Sequence, residues 1–216
     1  IIPIVASDQK HIWTFPARIT SDRRWAPAAA VAGGAAGLVA ADPHAGAYFR
    51  RTNAYHGFNS VFTGRATHWA TVIAPTSLYV AGLVRKDSYL QQTSLLAGVA
   101  AADGAIVTAV MKGATTRLRP ADVPPGGDFG DTWFRGRGNH WLQGRGSFPS
   151  GHTVAAFSIA TVFARRYPER RWAPYLACGL AGIVGFSRIS RSSHFPSDVF
   201  MGAALGYSVG RFTVLR

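Results

Sequence analysis

From Tyr89 to Thr116 the chain runs without a proline and with only Asp103 and Lys112 charged, directly behind Asp87 and Ser88, two residues suited to capping a helix. A stretch of that length and composition is too long for a strand and fits one helix, with Lys112 near its C-terminal end. The rest reads the same way. Thr20, Ser21 and Asp22 offer caps for a helix from about Arg24 to Ala41, expected to close at Asp42-Pro43. A short helix is expected near Tyr55–Thr63, ending at Gly64, and Arg65–Arg85 reads as a helix disturbed at Pro75. Residues 121–147, glycine-rich and with adjacent prolines at 124 and 125, read as a long loop. Further helices are expected at about Gly151–Arg166, Glu169–Phe186 and Ser197–Gly210. No strand-type alternation of useful length and no internal repeat is present, so the expected fold is all-α, a single helical bundle over 1–216.

With 216 residues, 48% of them hydrophobic and 15% charged, the chain has material for a sizeable core. A helix that crosses a membrane needs about 20 mostly apolar residues. The apolar stretches are either interrupted, at Pro75 and Asp103, or short, as at Thr153–Ala164 and Val199–Gly210, and the mean hydropathy of +0.08 is modest. The expectation is therefore a soluble or peripherally attached domain rather than an integral one. Ile1–Ser7 reads as a mature start left by removal of a signal peptide, which suggests a periplasmic or other extracytoplasmic location. The formal net charge of +13 favours anionic partners, a phosphorylated substrate or a phospholipid surface. No recognition module for nucleic acid is present, so none is expected as a partner. Oligomeric state is not legible. The single cysteine, Cys178, excludes an intrachain disulfide and, within apolar Tyr175–Leu180, reads as a small buried residue.

Three distant clusters carry the chemistry. In the first, Lys112 and Arg119-Pro120 lie across a helix end, so an ammonium and a guanidinium can converge on one anion; the alternative is a basic last turn complementing the helix dipole. In the second, Pro149-Ser150-Gly151-His152, Ser150 can cap a helix whose free amides attract an anion, Gly151 permits close approach, and His152 can face the same pocket. A capped helix with a buried histidine would explain it equally well. The third runs from Ser187-Arg188 to His194 and Asp198, where the carboxylate can accept from one imidazole nitrogen and leave the other nucleophilic. A metal reading of His194 and Asp198 lacks further ligands at suitable spacing, so no metal is expected.

Together these residues match, letter for letter, the pattern K-x6-RP, PSGH and SR-x5-H-x3-D, and over about residues 88–210 the chain resembles the type 2 phosphatidic acid phosphatase and vanadium haloperoxidase superfamily. The resemblance implies a helical bundle and a metal-independent phosphomonoesterase. Lys112, Arg119, Ser150, Gly151 and Arg188 would bind the phosphate. His194, polarised by Asp198, would attack phosphorus, and His152 would protonate the leaving alcohol. No cofactor is implied, although vanadate would bind as a phosphate analogue. The surrounding cations would depress both histidines and Asp198 would raise His194, giving an acidic-to-neutral optimum. Alternatives within the resemblance are a broad-specificity soluble acid phosphatase and a vanadium-dependent haloperoxidase, the latter belonging to chains that are generally much longer. Phe129, Trp133, Phe134 and Trp141, interleaved with Arg135, Arg137, His140 and Arg145, suggest an amphipathic mouth and hence lipid phosphates or diphosphates with peripheral membrane contact.

Overall fold

The computed structural model describes residues 2–18, 25–136 and 146–215, and among them every regular element is helical. α1 (Ile2–Arg18) and α2 (Trp25–Arg51) precede a short α3 (His56–Val61). α4 (Gly64–Val84) and α5 (Ser88–Thr115) then form an antiparallel pair. A 3-10 turn at Pro120–Asp122 opens the connection to α6 (Gly151–Arg166), followed by α7 (Ala173–Ser190) and α8 (Pro196–Ser208), which runs on into a π-helical turn, Val209–Thr213.

Local chemistry sets several of these ends. Asp87 caps α5 by accepting from the Leu90 amide at 2.9 Å, and Thr63 caps α4 through Ala66 at 3.0 Å. α5 stops where Thr116 turns left-handed, φ 37°, with its amide on the Lys112 carbonyl. Three expectations need correction. α2 does not close at Asp42-Pro43 but continues to Arg51, because Asp42 is held inside the bundle by tertiary bonds and the helix survives one missing N–H. α7 starts and ends later than expected, so Arg188 lies in its last turn. α1 was not foreseen.

α6 is the central helix and packs against α4, α5, α7 and α8. Its contacts are made through small residues. A Cβ on Gly206 would stand 2.4 Å from the Val154 carbonyl oxygen, and one on Gly104 would stand 2.6 Å from Val154 Cγ1, so α8 and α5 lie against α6 at distances only glycine allows. The buried residues of the two apolar clusters are correspondingly small, Ala97, Ala100, Val162 and Val209 in one and Ala156, Ala160 and Ala181 in the other. Large apolar side chains point outward instead: Trp69, Ile73 and Val84 on α4, Leu95 and Ile106 on α5, Tyr175 and Leu180 on α7. Cys178 shares this outer face of α7 and is exposed, against the expectation of burial. Ser88–Asp122 is long and apolar enough to cross a membrane, and only 39% of its most apolar window is buried in the protein.

Candidate active site

The end of α5, the chain just after it, the start of α6 and the turn between α7 and α8 meet at one end of the bundle. Lys112 is 9% exposed in the last full turn of α5. Across that turn runs the segment leading into α6, so close that a Cβ on Gly146 would stand 2.8 Å from the Lys112 carbonyl oxygen. The Ser147 amide donates to the Arg117 carbonyl at 2.8 Å, and the Ser150 amide to the Asp198 carbonyl at 3.0 Å. Two backbone bonds thus bring the second cluster against the first and the third.

Asp198 is the hub. It caps the start of α8 by accepting from the Phe195 amide at 2.8 Å, and it takes the Ser147 hydroxyl at 2.5 Å on the same oxygen. That oxygen lies 3.6 Å from Nδ1 of His194, an ion-pair distance longer than the direct hydrogen bond expected from the sequence. The Ser147 hydroxyl sits beside this pair, 3.4 Å from Nδ1. Asp198's other oxygen receives Arg117 at 2.6 Å. Burial pushes the His194 imidazole below its ordinary value, Asp198 partly restores it, and Lys112 and Arg119 act in the same direction as burial. Both cations therefore lie within electrostatic reach of this ring.

Arg119 differs from Arg117 in having work left to do. Its Nε is buried and has no hydrogen-bond partner among the described residues. Arg117, by contrast, is fully engaged. It reaches Asp42 at 2.6 Å, Ser197 at 2.8 Å and Thr132 at 3.2 Å, and its guanidinium lies between the rings of Trp133 and Phe195, 4.3 and 4.2 Å from their centroids. Asp42 in turn accepts from the Ser197 amide at 3.1 Å and its hydroxyl at 2.5 Å. This clamp, Asp42–Arg117–Ser197, was missed by motif reading. A lone aspartate in an Ala-rich helix, with an additional arginine inside the first motif, was the available signal, because a buried carboxylate requires a paired cation.

Ser150 is the residue before α6, but its side chain does not cap the helix as expected. Its oxygen accepts from Thr153 at 2.9 Å, and its own hydroxyl proton remains available to another acceptor. His152 donates from Nε2 to the Gly64 carbonyl at 3.2 Å and lies in the electrostatic field of Arg188 and His194. Arg188 donates to the Phe62 carbonyl at 2.6 Å and to the Ser187 hydroxyl at 2.9 Å. Lys112, Gly151 and His152 close one end of a cleft of about 640 Å³ whose walls are otherwise mostly apolar and small, including Val72, Pro75, Gly98, Ala101 and Ala105 of α4 and α5.

Of the aromatic and basic residues expected to form a mouth, Arg137, His140, Trp141 and Arg145 lie outside the described residues. Trp133 belongs to the Arg117 clamp, Phe129 faces Arg50 at 5.6 Å, and Arg135 pairs with Asp131 on the surface. Among the described residues of this set, only Phe134 is a largely exposed aromatic.

The model of the PAP2 superfamily matches residues 92–216. A lipid A 1-phosphatase of Rhizobium etli is 32% identical over 139 residues, 64% of this chain and 51% of that one. A lipid A 1-phosphatase of Porphyromonas gingivalis is 45% identical over 65 residues, 30% of this chain and 15% of that one. The chain thus spans about half or less of the length of these relatives. Among solved structures, the transmembrane PAP2-type phosphatidylglycerolphosphate phosphatase from Bacillus subtilis has a similar fold, with TM-score 0.53 at 20% identity, covering 87% of this chain and 93% of that chain. These findings overturn the expectation of a soluble or peripherally attached domain. The fold is that of a protein described as transmembrane, and the outward faces of α4, α5 and α7 are apolar where water would demand polar groups. They point to an integral membrane protein. The residues that interrupt the apolar stretches, Pro75 and Asp103, face inward, so the outer surface stays apolar across each interruption.

Proposed function

The chain belongs to the PAP2 superfamily, and on that premise we propose that it hydrolyses the phosphate ester of a membrane lipid through a phosphohistidine on His194. The observation that carries this reading is the buried Arg119 Nε with no hydrogen-bond partner among the described residues, in the field it shares with Lys112 and His194. A desolvated guanidinium nitrogen left unpaired is costly, and an anion with oxygens for both cations removes that cost.

In this mechanism Lys112, Arg119, Arg188, the Ser150 hydroxyl and the Gly151 amide surround the equatorial oxygens. His194 keeps its Nδ1 side towards Asp198 and Ser147, so Nε2 attacks phosphorus. The P–O ester bond breaks, its electron pair goes to the alcohol oxygen, and His152 supplies the proton. Water then attacks the phosphohistidine, giving its proton to His152, and the P–N pair returns to His194 as inorganic phosphate leaves. Preorganised cations of this kind contribute on the order of 10²–10³ each to such a step. The apolar cleft beside Lys112 and His152, together with the names of the relatives, supports a lipid phosphate as substrate. Vanadate would occupy the phosphate position as an inhibitor.

The test is phosphate release by protein in detergent micelles from lipid A, phosphatidate, a polyprenyl diphosphate and small esters, with EDTA present. Release from at least one lipid, an acid-labile phosphoenzyme, and loss of both in His194→Ala are expected. An unchanged phosphoenzyme in His194→Ala would refute the assignment. Arg119→Ala should lower kcat/KM about 10²-fold and weaken vanadate inhibition.

A further inference from the structure

Two groups assigned above to phosphate binding and to leaving-group protonation, Arg188 and His152, are both held by a stretch of chain that precedes the family-matched residues 92–216. Phe62 ends α3 and gives its carbonyl to Arg188 at 2.6 Å; Gly64 begins α4 and gives its carbonyl to His152 Nε2 at 3.2 Å. Gly64 also packs closely on the same guanidinium, since a Cβ there would stand 3.4 Å from Arg188 Nη1. The stretch is itself tied down beside Arg188. Asn59 accepts from the Ser190 hydroxyl at 2.7 Å and donates to the Ser190 carbonyl at 3.1 Å, while Arg191 donates to the Asn59 carbonyl at 2.6 Å. Phe58 stacks on Phe62 at 4.6 Å and meets Phe186 of α7 at 5.5 Å.

We infer that residues 59–64 form a positioning strap, anchored by Asn59 on Ser190, that orients Arg188 and fixes which nitrogen of His152 handles the leaving-group proton. A carbonyl oxygen can only accept, so Nε2 must carry a proton whenever the bond to Gly64 is made. Neutral His152 is then the Nε2–H tautomer, and Nδ1 is the nitrogen that gives its proton to the departing alcohol and later takes one from water. Asn59 touches neither substrate nor reacting atoms and acts only through the strap. This rests on the phosphatase reading above.

The strap predicts a kinetic split. Asn59→Ala, assayed in micelles, should lower kcat/KM for an alkyl phosphate about tenfold more than for 4-nitrophenyl phosphate, because an alkoxide cannot depart without its proton while 4-nitrophenolate can. The ratio of the two kcat/KM values is the readout, since hydrolysis of the phosphoenzyme and any loss of Arg188 orientation act on both substrates alike. Ser190→Ala, which removes one of the two bonds between Asn59 and Ser190, should show the same split more weakly. An equal fall on both substrates, or none on either, overturns the inference. Independently of turnover, ¹⁵N NMR of histidine-labelled protein, with the His152 signal identified by its loss in His152→Gln, should show Nε2 protonated in the neutral form; protonated Nδ1 overturns it. Failure of the wild type to release phosphate from any ester would sink the phosphatase reading instead, and the NMR experiment would still decide the tautomer.

Discussion

Replacing Asp198 with asparagine separates catalysis from scaffolding. The carboxylate oxygen lies 3.6 Å from His194 Nδ1, both side chains being almost fully buried. At an effective dielectric of about 20, a full charge at that distance stabilises the imidazolium character that develops as Nε2 bonds phosphorus by about 4.6 kcal/mol. Arg117, bonded to the other oxygen at 2.6 Å, offsets part of this, so about half to all of it is lost with the charge. The expected fall in kcat is therefore about 10²- to 10³-fold. Folding suffers too. Whichever way the amide is turned, its NH2 faces donors, either Arg117 or the Phe195 amide and Ser147 hydroxyl, and the broken buried pair costs about 3–5 kcal/mol. Asp42→Asn is the control, because it damages the same clamp, through Arg117 and Ser197, without facing His194. It should lose comparable stability in a thermal melt in micelles yet keep kcat within about tenfold. If the two variants lose kcat equally, or if Asp198→Asn stays within tenfold of wild type, the charge-stabilisation argument fails.

Because burial holds His194 below its ordinary value, its ring stays neutral and nucleophilic into the mildly acidic range, and pH–rate profiles of kcat/KM should show an acid limb below about 6.5. The linked effect on folding has a definite sign. Below the ordinary histidine value the unfolded chain binds a proton that native His194 refuses, so stability should fall as pH drops through that value, and a His194→Gln variant should show a shallower fall. Gly206→Val would force side-chain atoms into the Val154 carbonyl, 2.4 Å from where Cβ must lie, and should lower stability by at least about 1–3 kcal/mol; an unchanged melting temperature would show that α6 and α8 are not in such contact. Cys178, on the outer apolar face of α7, should react in proteoliposomes with an apolar maleimide and far more slowly with a charged one. Equal rates would argue that this face meets water.

Some of the architecture could be read locally. α5 was legible because its caps, its length and its lack of proline all agree, and α6 because Ser150-Gly151 precedes an uninterrupted run. The residues of the three clusters were legible because their side chains have few roles in which ammonium, guanidinium, imidazole and carboxylate recur together. α2 was cut short because Pro43 is a strong local signal, overridden by the bonds that bury Asp42. The direction in which apolar faces point was not legible either, since a helix lined with Ala and Gly on one side and Leu, Ile and Trp on the other can bury either side, depending on solvent.

The order of residues by itself determined that this chain is helical and that it carries the residue pattern of the PAP2 superfamily. Only the tertiary structure decided that the Arg119 Nε is buried with no hydrogen-bond partner among the described residues while Arg117 is consumed by two carboxylates, and that Ser147 donates to Asp198 beside His194. It likewise decided that carbonyls of Phe62 and Gly64 hold the site from outside its motifs. The physical reason is that backbone carbonyls and doubly paired side chains leave no trace in residue type. Their partners are fixed by how closely glycine lets the helices approach, and that distance is a property of the packed bundle.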